Sequence, residues 1–380
     1  METEHDLYKK LAQHLDRLPG GFPATESGVE LRILRRLFSP QDAELAMHLT
    51  LIAEGAAVIA YRAGLPLAEV QPRLEDMSSR GLIYSTHHRE RPPEYMAMQF
   101  VVGIWEFQVN RLTEGLAQDM DEYLKTLFNP EVWRKAPQLR SIPIVESIDY
   151  PNEVLAYEQA REIVRKQEKI ILADCICRKE RHLVGQGCDK PLETCLIFGG
   201  GAYYYERYGM GRQISLDEAL AVLDTADQAG LVLQPTNAQD ALGICCCCGD
   251  CCGVLRTVNQ YPRPADLVSS AFFARVEVEL CAGCSVCETR CQMGAIVLDD
   301  GVCQIKAERC IGCGLCVTTC TTQALSLERK TETPVVPRTN VDSILHLGRE
   351  RGVLKMRDLA ALMAESKADR LLAARELKDS

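Results

Sequence analysis

The chain has 380 residues, 47% of them hydrophobic and 25% charged, with a net charge of −10 and a pI near 5.4. That acidic balance argues against a general nucleic-acid binder or a basic membrane-surface protein, and no apolar run reaches bilayer-spanning length. The polar start METEHDLYKK is not a secretory signal, so a cytoplasmic protein without membrane insertion is expected. The outlier is nineteen cysteines, which in a chain of this size point to metal or redox chemistry rather than a disulfide framework.

In the first segment, residues 1–130, Ser39-Pro40-Gln41-Asp42 reads as a helix start: a capping serine, proline at the first position, an acid at the third. The run AAVIAYRAGLPLAEVQPRLEDMSSRGLIYS gives a helix ending at Gly64 and a second from about Pro66 to Gly81. A strand over Ile83–Ser85 follows, and HHRERPPEYMAM reads as a two-stranded wing. This order resembles a winged helix-turn-helix domain. The second helix carries Glu69, Arg73, Glu75, Asp76 and Arg80, which sum to −1, and Pro72 is expected to interrupt it. A helix that reads the major groove needs net positive charge. His87, His88, Arg89 and Arg91 are the only basic feature, so protein docking is expected in preference to DNA binding. Met98–Leu112 reads as a buried helix or a dimer interface, which would make a homo-oligomer, with Trp105 and Phe107 as core residues.

Residues 131–270 form the second segment. Asn152 is placed to cap a helix through about Gln167, leading into a strand KIILADCIC. Ser215 caps another helix, with Asp217 and Glu218 in its first turn, ending near Gly230 before a strand LVLQP. This pattern reads as a cysteine-rich α/β unit with its cysteines at or just after strand ends, in Gly-rich loops. The thiols are Cys175, Cys177, Cys188 and Cys195, then Cys245, Cys246, Cys247, Cys248, Cys251 and Cys252. On extended backbone Cys175 and Cys177 would face one metal, while Cys245 with Cys247 and Cys246 with Cys248 would form opposed pairs. Cys175, Cys177, Cys188, Cys195, Cys245, Cys247, Cys248 and Cys251 are the candidates for a further centre, a [4Fe–4S] cluster or zinc. Reactive or tolerated thiols are the alternative. Arg178, Lys179, Arg181 and His182 would lower thiolate pKa values and offset cluster charge, or form an ordinary solvated face. LIFGGGAYYYERYGMGR reads as a turn with half-buried tyrosines, since it lacks the spacing of a nucleotide loop.

Residues 271–330 carry the strongest signal. Cys281, Cys284, Cys287 and Cys291 follow C-x2-C-x2-C-x3-C, and Cys310, Cys313, Cys316 and Cys320 repeat it. Three cysteines at this spacing converge on three irons of one cubane, and in two-cluster arrangements the fourth ligates the other cluster. The expected sets are therefore Cys281, Cys284, Cys287 and Cys320 for one [4Fe–4S] cluster, and Cys310, Cys313, Cys316 and Cys291 for the second. Gly283, Gly312 and Gly314 suit a loop that curls tightly. A zinc ribbon would leave the third and fourth cysteines of each run unexplained. This segment resembles a bacterial-type two-cluster ferredoxin domain, with Gln292 and Thr321 where that family has proline. Those two residues are expected to loosen the loop exits. Cys303 sits at no ligand position and reads as a small buried side chain. With its C-x-C-R and cysteine-run motifs, the preceding segment resembles the corresponding region of multidomain [4Fe–4S] proteins of anaerobes.

The tail, residues 331–380, starts with a Pro-containing linker. It ends in a charged helix with Leu359, Leu362, Met363 and Leu371 at helical spacing, fit to dock on the body or on a partner. The expected architecture is thus α+β and multidomain: a winged-helix-like helical domain, a cysteine-rich α/β domain, a ferredoxin-like dicluster domain and a helical tail. The expected function is electron transfer with redox partner proteins, as a partner or subunit of a larger oxidoreductase. A reductase with its centre in the middle segment and a redox-sensing regulator are the alternatives.

Overall fold

Ser39 makes the helix start its sequence promises. Its Oγ accepts from the Asp42 amide at 3.2 Å while Asp42 Oδ2 accepts from the Ser39 amide at 3.1 Å, with Pro40 at the first position. The computed structural model describes residues 4–144 and 155–379. They divide into two compact units, Met1–Leu127 with Ile344–Ser380, and Phe128–Ser343.

The first unit runs α1 (Glu4–Asp16), α2 (Val29–Leu37), α3 (Pro40–Ala46), β1 (Glu54–Gly55), α4 (Ala56–Ala63), α5 (Leu67–Ser79), β2 (Tyr84–His88), β3 (Arg91–Met96) and α6 (Glu114–Leu127). The three strands form an antiparallel sheet in the order β1-β3-β2. Gly64 ends α4 at φ 64°, a conformation glycine adopts without cost. Contrary to expectation, Pro72 does not interrupt α5. Pro72 is exposed, so the carbonyl its missing N–H leaves unbonded faces water, while buried Val70, Leu74 and Met77 hold the inner face. The expected helix over Met98–Leu112 is also absent: Val101, Val102 and Gly103 have non-helical backbone. Burial there is nearly continuous from Gly103 to Val109, so no single helical stripe faces the core. Trp105 and Phe107 are buried as expected, and Phe100 packs edge-on against Phe22 at 4.8 Å.

In the second unit come α7 (Pro130–Lys135), α8 (Ala160–Arg165), β4 (Ile171–Asp174), α9 (Ile176–Leu183), β5 (Glu193–Ile197), α10 (Gly199–Arg207), β6 (Arg212–Gln213), α11 (Leu216–Gln228), β7 (Val232–Pro235) and β8 (Gly243–Cys247). After α12 (Gly253–Val258) follow β9 (Phe272–Val276), α13 (Val286–Arg290), β10 (Ile296–Asp299), β11 (Val302–Ile305) and β12 (Leu325–Arg329). The cap expected at Asn152 lies outside the described residues. Ser215 caps α11 as expected, accepting from the Glu218 amide at 3.1 Å, and Ala219, Val222, Leu223 and Ala226 bury its inner face. The glycine-tyrosine stretch forms α10 rather than a turn, burying Tyr204 and Tyr205.

Five strands assemble in the order β6-β4-β5-β8-β7, and each pairing is antiparallel. The unit is therefore α+β in character rather than the α/β expected, and the strand-end logic of parallel sheets does not apply. Two further ribbons pair β9 with β12 and β10 with β11.

The chain then returns to the first unit through α14 (Asn340–Glu350) and α15 (Met356–Asp379). α15 packs on α4, where Arg62 bridges Glu54 and Asp369, each at 2.9 Å. Of its expected apolar stripe, Leu359 and Leu362 are half-buried, while Met363 and Leu371 are exposed.

Candidate iron–sulfur and metal centres

The first ferredoxin-type run passes from a loop into α13, and the second from a loop into a turn. One cavity is lined by Cys281, Cys284, Cys287 and Cys320, with Cys303 also on its wall. A second is lined by Cys310, Cys313, Cys316 and Cys291. Each cavity thus gathers three cysteines of one run and the fourth of the other. Gly283 and Gly312 make this path possible. Both have positive φ, and a Cβ would lie 2.3 Å from the Gly301 carbonyl oxygen or 2.1 Å from that of Phe272.

Backbone amides point at the sulfurs: Ala274 to Cys310 at 3.3 Å, Ala295 to Cys291 at 3.2 Å and Cys303 to Cys281 at 3.4 Å. Such donors stabilise a thiolate or a cluster carrying negative charge. Burial pushes the Cys316 thiol well above its ordinary value and Cys313 up to about 12. At Cys320 burial acts in the same sense, but the Thr322 hydroxyl and the Leu325 and Ala324 amides outweigh it and lower the pKa. Metal binding would therefore release protons from Cys313 and Cys316. Cys303 is buried beside Cys287, sulfur to sulfur 3.8 Å. Of the nineteen cysteines, Cys284 alone is exposed.

Gln292 does not loosen its loop. Its Oε1 accepts from the Gly249 amide at 2.7 Å, and its carbonyl accepts from Asn259 Nδ2 at 3.2 Å. Arg290 adds bonds to the Leu315 carbonyl at 2.8 Å and to Asp227 Oδ1 at 2.5 Å. The ferredoxin-type segment is thereby fastened to the loop carrying the cysteine run. Cys291 packs both against the ribbon core and against the core holding Cys246–Cys248, Cys251 and Cys252.

The ten middle cysteines separate into groups that spacing alone does not reveal. Cys175 is the extended residue that caps α9, but Cys177 lies in that helix's first turn, so the pair does not share one extended segment. Cys195, Cys245 and Cys247 lie within strands rather than in loops, Cys195 directly opposite Cys245. Thiol–thiol hydrogen bonding links Cys195, Cys245, Cys247, Cys252, Cys177 and Cys175 in one line. Cys252, absent from the expected ligands, is the bridging member. Its signal was its place just ahead of a helix, which it shares with Cys175. Cys248 lies past the end of β8 and does not pair with Cys246; its sulfur instead joins Cys188 at 3.8 Å, and Cys251 reaches Cys188 at 3.5 Å. Cys246 belongs to neither group, and burial raises its pKa to about 12.

Between these groups stands Arg178, with no exposed surface. It donates to Thr194 Oγ1 at 2.7 Å and to the carbonyls of Pro191 and Cys246. Burial opposes its charge, and Cys175 and Cys248 lead the groups that sustain it. A buried cation set among sulfurs is suited to an anionic metal–thiolate centre. Burial opposes the Cys248 thiolate as well, yet the Cys251 amide and Arg178 lower its pKa.

Residues 304–326 match the Fer4 family, described as a 4Fe-4S binding domain. The match spans Cys310, Cys313, Cys316 and Cys320. No curated protein and no solved structure matches the chain. The chain therefore carries a ferredoxin-type 4Fe-4S binding domain near its C-terminus, and with its cysteine content this supports an iron–sulfur electron-transfer protein. No helix among the described residues is long and apolar enough to cross a membrane.

Proposed function

We propose that the protein is an electron carrier holding two [4Fe–4S] clusters in its ferredoxin-type segment and a further iron–sulfur centre on the middle thiol line, and that it serves a larger oxidoreductase as partner or subunit. One observation carries this reading: the eight cysteines of the repeat fall in two separate cavities with the fourth ligands exchanged. Cys284 brings the first cluster to the surface, where a redox partner docks. The second cluster, through Cys291, adjoins the core of the middle cysteines. Electrons pass between the surface and the middle centre in that order.

The order α3, β1, α4, α5 and the β2–β3 hairpin supports a winged helix-turn-helix reading of the first unit. Protein docking suits it better than DNA, because the arginines of α5 and its C-terminal end are engaged. Arg73 and Arg80 pair with Asp42 at 3.5 and 2.8 Å, and Arg80 also with Asp76 at 2.8 Å. Phosphate contacts need such cations to be available.

Iron and acid-labile sulfide on anaerobically reconstituted full-length protein test the proposal. The two clusters require about eight irons per chain, and a middle cluster about four more. Four irons or fewer would overturn the two-cluster assignment. Cys175→Ser with Cys177→Ser is expected to remove the additional iron alone; unchanged iron and spectra would remove the middle centre from the reading.

A further inference from the structure

Cys188, Cys248 and Cys251 are distinct from the thiol line. Among the described residues they are the one group of three metal-binding side chains whose donor atoms all lie within 4.8 Å of one another. The two ferredoxin-type quartets contain no such triplet. That difference is chemical. Cysteines on a cubane bind separate irons and stand apart, whereas thiolates on a single ion share its coordination sphere. With Zn–S near 2.3 Å, the edge of a tetrahedral site is about 3.8 Å. The measured sulfur separations of 3.5 and 3.8 Å match that edge.

We infer that Cys188, Cys248 and Cys251 form a mononuclear zinc site with three protein ligands, separate from every iron–sulfur centre. Cys248-Gly-Asp-Cys251 supplies a chelate from one tight loop, and Cys188 closes it from the segment between α9 and β5. Three thiolates around a dication leave one negative charge. Arg178, hydrogen-bonded to Cys248, balances it from a position with no solvent access. No fourth thiol, imidazole or carboxylate among the described residues joins the trio. Three protein ligands with one free position is the arrangement of a reactive zinc rather than a closed structural one. Cys188 alone of the three is not fully buried, so water or a small anion completes the tetrahedron from that side.

The inference stands apart from the two-cluster reading, and the metals tell them apart: failure of that reading appears in iron, failure of this one in zinc. Full-length protein purified anaerobically is expected to contain one zinc per chain beside its iron. X-ray absorption at the zinc edge should show three sulfurs at about 2.3 Å and one lighter neighbour. Cys188→Ser is expected to lose the zinc and keep its full iron and sulfide. Should that variant not fold, the zinc count and edge spectrum of the unmodified chain decide. Zinc at trace level, four irons lost in Cys188→Ser, or Cys248 and Cys251 recovered as a disulfide would each overturn it.

Discussion

The Gly249 amide donates to Gln292 Oε1 at 2.7 Å, tying the residue after Cys248 to the residue after Cys291. The approach leaves no room for a side chain at Gly249, whose Cβ would lie 2.4 Å from the Gln292 carbonyl oxygen. Gln292→Leu keeps the size but removes the acceptor. It is expected to cost about 1 kcal/mol, seen as a lower thermal midpoint, with iron content unchanged. An unaltered midpoint would mean that the bond contributes nothing to holding the two segments together.

Gly312 and Gly283 allow a cavity-by-cavity dissection. Gly312→Ala forces a side chain against the Phe272 carbonyl at a backbone angle of φ 63°, and Gly283→Ala does the same against Gly301. Each clash is with backbone and cannot be relieved by rotating a side chain. Gly312→Ala is expected to lose the cluster of the Cys310 cavity, and Gly283→Ala that of the Cys281 cavity, about four irons in each case. EPR of the reduced variants would then lack the coupling between the two ferredoxin-type clusters. Full iron in either variant would contradict the assigned loops.

Removing the buried guanidinium should be severe. Arg178→Met deletes the cation facing Cys175 and Cys248 and leaves the Thr194 hydroxyl and two carbonyls without their donor. Breaking a buried charge pair from one side costs about 3–5 kcal/mol. The expected result is depleted middle-segment metal and reduced soluble yield, with Arg178→Lys intermediate. Wild-type metal content in Arg178→Met would show that the sulfurs need no counter-charge.

A pH effect is expected within the first unit. Burial raises the Glu106 pKa from 4.5 to about 7, against the opposing Gly103 amide. The folded state thus holds a proton that the unfolded chain releases near pH 4.5. Glu106's contribution is full below that pH and is lost as pH rises toward 7, at up to about 1.4 kcal/mol per pH unit. Thermal midpoints between pH 5 and 8 should fall less steeply in Glu106→Gln than in the unmodified protein. Equal slopes would assign the proton elsewhere.

The grouping of the eight repeat cysteines into two cavities was legible because it follows their spacing. Ser39 and Ser215 were legible for a similar reason: a capping hydroxyl and the amide that donates to it lie within three residues. The middle cysteines were not, because their grouping is decided by tertiary placement. Cys195 meets Cys245 only through strand pairing, and Cys188 meets Cys251 across 63 positions. Alternation correctly puts Cys245 and Cys247 together, then fails at Cys248, where the strand ends. Gln292 was misjudged for the same cause, since its partner Gly249 is remote in the chain.

Cys284 remains the point where the outside world reaches this protein. The exposure that would bring a cluster within reach of a docked partner also opens it to dioxygen and peroxide. Durability in air is then set at one residue, and a bound partner that covers Cys284 doubles as its shield. On the proposed reading, idle protein decays first at this edge, and protein at work is protected by the act of exchanging electrons.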